Sequence, residues 1–123
     1  MVDYLQYPMD ENKLRKVYQQ ELHQRLVKSY KMRCQGQWHS ISDDGYYYKY
    51  LIHHVTKAGD DDILQHLLSD FNWMAAKVKV LRTLQDLRLD LHDCIQYFSS
   101  KQQVKVSVLI VIKFVDIIYL FFI

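Results

Sequence analysis

The stretch Tyr46 to Val78, YYYKYLIHHVTKAGDDDILQHLLSDFNWMAAKV, limits the folds open to this chain more than any other part of it. Stripe positions recur at Tyr46, Tyr47, Tyr50, Leu51, His54 and Ala58, then at Ile63, Leu64, Leu67, Leu68 and Phe71. Spacings of three and four gather such positions on one side of a helix. Between the two runs stands Ala58-Gly59-Asp60-Asp61-Asp62. Gly59 can take the left-handed conformation that closes a helix, and Asp60 or Asp61 can offer a side-chain oxygen to the first free amides of the next one. The pattern predicts two short helices folded back on each other around a common core.

The flanking sequence extends the same architecture. Leu14, Tyr18, Leu22, Leu26 and Tyr30 advance in steps of four, with Val17 and Val27 widening the stripe, which predicts a long helix from Asn12 to about Arg33 capped by Asp10 or Asn12. Residues Cys34 to Gly45 have no period and read as a connection, in which Trp38 is too large an apolar group to leave wet and is expected to plug the gap between helices. Asp43 or Asp44 is the expected cap of the tyrosine-rich helix, Asn72 that of a short helix carrying Trp73 and Ala76, and Thr83 that of a last helix with Leu84, Leu87, Leu91, Ile95 and Phe98 at helical spacing. With three glycines, one proline and β-branched residues scattered until the last twenty or so positions, the expectation is all-α. It comprises about five helices in antiparallel hairpins over residues 10–100.

Both ends read differently. MVDYLQYP arrives with apolar groups and no capping start, as the end of an element that belongs upstream. The segment 101–123 begins basic and turns almost wholly apolar. Its run from Val108 to Ile123 contains Lys113 and Asp116, and is shorter than the roughly 20 residues that span a bilayer. It is a poor membrane helix and, as a strand, an aggregation-prone one. Two readings stand: translation of sequence beyond an exon boundary, or a tail anchor.

The search for chemistry excludes most classes. His53 and His54 are adjacent, so on a helix they diverge by about 100°, and no HxxxH pair shares a helix. Cys34 with His39 and Cys94 with His92 lack the spacing of a zinc site, and His92 and Cys94 point apart on a helix, unsuited to a base and its nucleophile. The expectation is no metal, no cofactor and no catalytic residue. Asp60–Asp62 lack the alternating ligands of a calcium loop, and no GxxxxGK phosphate loop exists. The two cysteines read as reduced thiols of a cytosolic protein. Lys28, Lys31 and Arg33 belong to a basic first helix that could grip nucleic-acid phosphate, but a net charge of +2 is small and the positives surround the helix. A solvated face or a protein neighbour explains them more simply. Tyr48 falls off the predicted stripe and is expected to contact a partner, together with Lys28, Lys31 and Arg33.

The run from Asp44 to Val78 resembles the helical domain of the apoptotic protease-activating factors, the apoptosome scaffolds. The likeness rests on the aromatic helix Tyr46 to Tyr50, on Leu51-Ile52-His53-His54-Val55 with Ala58, and on Leu64 to Asp70 followed by Trp73 and Lys77. VDYLQ, with Asp3, Tyr4 and Leu5, resembles the end of the winged-helix module that precedes this domain in the family. The resemblance implies a remnant of that module at 1–8, the helical domain at 10–100, and a non-enzymatic linker arm. The arm would be cytoplasmic and would contact a flanking ATPase with its winged helix and C-terminal WD repeats. Its core would include Trp38, Tyr47, Tyr50, Leu51, Leu64, Leu67, Leu68, Phe71, Trp73, Leu87 and Leu91. The alternatives are a freestanding helical adaptor tethered to a membrane by residues 101–123, or a small basic helical nucleic-acid binder.

Overall fold

The structure, a computed structural model, describes residues 10–42, 45–101, 103, 109 and 112. The expectations for 1–8, for most of 101–123 and for a cap at Asp43 or Asp44 lie outside them. Among the described residues the chain forms five α-helices and one 3-10 turn: α1 Glu11–Cys34, the turn Trp38–Ser40, α2 Tyr46–Ala58, α3 Asp61–Leu68, α4 Phe71–Leu81 and α5 Gln85–Ser100.

Local chemistry accounts for most boundaries. Asp10 accepts from the Asn12 amide at the start of α1, and Asp60 accepts from the Ile63 amide at the start of α3. At the end of α2, Gly59 sits at φ +76° and its N–H reaches the Val55 and Thr56 carbonyls, the αL closure glycine favours. The α4 cap is Asp70, whose carboxylate accepts from the Trp73 amide, rather than Asn72, which lies inside the first turn. Before α5 the Thr83 hydroxyl accepts from the Gln85 amide at 3.1 Å.

Helix α2 is the centre of the fold and touches α1, α3, α4 and α5. With neighbours on so many sides its buried arc is wide, taking in Tyr47, Tyr48, Leu51, Ile52, His54, Val55 and Ala58. Two expectations change as a result. Tyr48 is buried, not free for a partner: it donates its hydroxyl proton to the carbonyls of His39 and Ile41, while Tyr47 donates to that of Trp38, so the pair fastens the connection to the core. Tyr50, by contrast, is 38% exposed at the rim. Phe71 is also exposed, because it is the first residue of α4, where the chain turns out of its Asp70 cap. The other residues expected in the core, Trp38, Tyr47, Leu51, Leu64, Leu67, Leu68, Trp73, Leu87 and Leu91, are all buried. Each fully buried leucine contributes about 1.5–3 kcal/mol relative to an exposed one.

One core contact is ionic. Lys77 of α4 has no exposed surface and its ammonium donates to the Asp90 carboxylate of α5, with Nζ also 5.5 Å from the centroid of the Trp73 ring. Burial pushes the Asp90 carboxyl up to about 7, against the opposing pull of Lys77. A second, partly exposed link ties α5 and the residue after it to α3: the Tyr97 hydroxyl donates to Asp61 at 2.5 Å, and Lys101 to the same carboxylate at 3.1 Å. The two links tie α5 to α4 and to α3.

Candidate interaction surface and histidine cluster

Helix α1 has two halves with different surroundings. The Gln20 and Gln24 side-chain amides both donate to the Ala58 carbonyl, at 3.3 and 3.2 Å, satisfying an orphan acceptor at the end of α2. Further along, the Tyr30 ring meets Tyr47 edge-on at 4.9 Å. Numbers rise along α1 as they fall along α2, so the two pack antiparallel. At 1.5 Å per residue, α1 is about 36 Å long and α2 about 20 Å. The first nine or so residues of α1 therefore extend past the end of α2.

That overhang carries the front of the predicted stripe. Leu14, Val17 and Tyr18 are 56, 53 and 62% exposed and Leu22 is 44%, whereas Val27, Tyr30 and Cys34 further along are buried. With Glu11, Arg15 and Glu21, the first three line a shallow depression. One apolar row is thus half core and half surface. Exposed apolar rows with a charged rim are a common form of protein contact surface.

The basic residues lie elsewhere on α1. Lys28 and Lys31, both exposed, wall a groove whose opposite side is the turn Ala58–Ile63 with Asp60, Asp61 and Asp62. A phosphate strand entering there would meet carboxylates, which disfavours nucleic acid as its occupant. Arg33 stands apart from the groove, with its guanidinium 5.9 Å from the Tyr30 ring centroid.

The histidines are less scattered than the sequence suggests. His23 of α1 comes to rest against His53 and His54 of α2, with ring centroids 5.7 and 5.1 Å away, and His23 Nδ1 is 2.9 Å from His54 Nδ1. One ligand nitrogen from each lies within 4.8 Å of the others. Divergence of neighbours on one helix excluded a two-histidine site but left open a third ring from the helix packed alongside. The signal available in the sequence was His23 itself, on a helix expected to pack against the hairpin. Burial and mutual proximity hold the His53 and His54 imidazoles below the usual histidine range.

Nothing among the described residues assembles a nucleophile with its base. Cys34 and Cys94 are free and buried, and burial raises the Cys94 thiol, the opposite of activation. His92 is exposed and pairs with Gln96. No helix among the described residues is long and apolar enough to cross a membrane.

A family model described as the APAF-1 helical domain matches residues 19–117, which takes in most of α1, all of α2 to α5 and part of the apolar segment beyond. Comparison with curated proteins and with solved structures returned no significant match.

Proposed function

The chain belongs to the APAF-1 helical domain family, and from that premise we propose that it is a non-enzymatic scaffold arm of an apoptosome-like, caspase-activating protein. In this reading the arm acts in the cytoplasm and fixes the distance and angle between a nucleotide-binding ATPase with its winged helix on one side and WD repeats on the other. The observation that carries the reading is the exposed row Leu14, Val17 and Tyr18 on the overhang of α1. A rigid helix whose apolar face continues beyond its own core suits contact with a neighbouring domain. Its occupant is a winged-helix surface: the VDYLQ residues that resemble the end of such a module precede Glu11 by only a few positions, so connectivity delivers that module to the overhang.

The test uses the full chain and a separately produced winged-helix and ATPase module of the family, with binding followed by calorimetry. Val17→Asp and Tyr18→Glu are surface changes expected to leave the unfolding free energy in urea within about 0.5 kcal/mol of the parent. They are expected to weaken binding tenfold or more by placing charge in an apolar contact. Equal binding by both variants would overturn the assignment of this row as the interdomain contact.

A further inference from the structure

We propose that His23, His53 and His54 form a binding site for a divalent borderline metal ion, Zn²⁺ in the first instance, that bridges α1 and α2. The inference stands on the geometry of the cluster and is independent of the scaffold reading above.

Two ring nitrogens of the same type, His23 Nδ1 and His54 Nδ1, approach to 2.9 Å. Both carry lone pairs aimed at one region of space unless one of them holds a proton, so a proton or a cation must lie between them. His54 has a tautomer that suits the second case. Its Nε2 is 3.2 Å from the Tyr46 hydroxyl, and with Nε2–H donating to that oxygen the tautomer leaves Nδ1 bare for a ligand bond. A ligating histidine commonly has its far nitrogen tied in this way.

The rings are held by rigid elements. Gln20 and Gln24, one turn before His23 and one residue after it, fix the register of α1 through the Ala58 carbonyl. His54 is 8% exposed and cannot turn away, while His53 is exposed and free to swing inward. Tetrahedral zinc, with Zn–N bonds of about 2.0–2.1 Å, needs ligand nitrogens roughly 3.3 Å apart. The close pair must open by a few tenths of an ångström and the third nitrogen must move in by up to about 1.5 Å from its 4.8 Å limit. Rotation of the exposed His53 ring covers that distance. Three histidines leave the fourth position to water.

All three imidazoles bind metal in the neutral form, through a ring nitrogen that carries no proton. The buried thiols of Cys34 and Cys94 do not compete as ligands.

The experiment titrates ZnCl₂ into the untagged, chelator-dialysed full chain at pH 7.5 by calorimetry, with Co²⁺ added in parallel to read the ligand field from its visible absorption. The expected result is one ion per chain, a tetrahedral Co²⁺ spectrum, and at least a tenfold loss of affinity in His23→Gln and in His53→Gln. His92→Gln, at an exposed position on α5, is expected to bind as the parent does. His23→Gln and His53→Gln alter half-exposed and exposed side chains, and thermal melts without metal check that both fold, so the result does not depend on His54, whose replacement disturbs the core. Failure of the parent chain to bind Zn²⁺, or undiminished binding by His23→Gln, overturns the proposal.

Discussion

Replacing Lys77 and Asp90 together, as Lys77→Met with Asp90→Leu, separates the fold's need for these side chains from its need for their charges. Both groups are withdrawn from water, and the Asp90 carboxyl moves from its ordinary 3.8 to about 7 because burial outweighs the attraction of Lys77. The unfolded chain releases this proton near pH 4 and the folded chain near pH 7. Between those values the folded state holds more protons, so the stability tied to Asp90 is complete below about pH 4 and is lost as pH rises to about 7. A shift of about three units, at 1.36 kcal/mol each, sets the loss on the order of 4 kcal/mol. His53 and His54, held low, act in the opposite sense, losing stability as pH falls below 6.5, whereas Asp61, held low first by the Tyr97 hydroxyl, does so only as pH falls below 3.8. They are present in both proteins and cancel in the difference. Urea unfolding at pH 4.5 and 7.5 is expected to show the double variant gaining on the parent as pH rises. At pH 7.5 it should equal or exceed the parent by about 1–4 kcal/mol, the range for exchanging a buried pair for apolar groups. Asp90→Leu alone strands the Lys77 ammonium and should cost about 3–5 kcal/mol at the same pH. A difference between parent and double variant that does not change with pH, or that moves in the parent's favour as pH rises, would refute the reasoning.

Trp73 is 1% exposed at the seam of α4 with the core, and Trp73→Ala is expected to cost about 3–5 kcal/mol, read as a lowered urea midpoint; an unchanged midpoint would contradict the packing. Gly59→Ala forces a side chain into φ +76° with its Cβ 3.3 Å from the Gln20 amide, so about 1 kcal/mol should be lost, and a more stable variant would mean that the α2–α3 turn is not built this way. Tyr97→Phe removes the hydroxyl that donates to Asp61 and should cost about 1 kcal/mol while the Asp61 carboxyl moves up toward its ordinary range, which a carbon-detected NMR titration reads directly; an unmoved Asp61 would deny the bond.

Where the chain chemistry is local, the sequence was mostly enough, the α4 cap at Asp70 in place of Asn72 being the exception. Gly59 and Asp60 together specify a turn whatever packs around it, so that turn could be read directly, while the start of α5 was read one residue early, its cap position being Leu84 with the Thr83 hydroxyl just before it. The other errors fall where a side chain's fate depends on which helix lies next to it. Tyr48 and Tyr50 are two residues apart on α2 and equally aromatic, yet the first is buried and the second is at the rim, because the connection around Trp38 and Ile41 folds over Tyr48. Periodicity finds a stripe but cannot say how many neighbours a central helix has. The Lys77–Asp90 pair is hidden for a related reason: a charged residue reads as surface unless its place is compared with Trp73 and Met74, which lie four and three positions earlier on the same inner face.

The divided role of α1 follows from lengths that the sequence already contains. A continuous apolar row from Leu14 to Tyr30 predicts burial only as far as there is a partner of matching length, and α2, closed by Gly59, is about half as long as α1. Antiparallel packing fixes the end of α2 against Gln20 and Gln24, so every apolar residue earlier than that must find its neighbour outside the hairpin or remain exposed. The same registration sets His23 over His54, since three residues on α1 beyond Gln20 correspond to one turn back from Ala58 on α2. The overhang and the histidine cluster are therefore two consequences of one alignment. Tyr30, through its contact with Tyr47 and its place beside Cys34 and Trp38 in the core, holds that alignment.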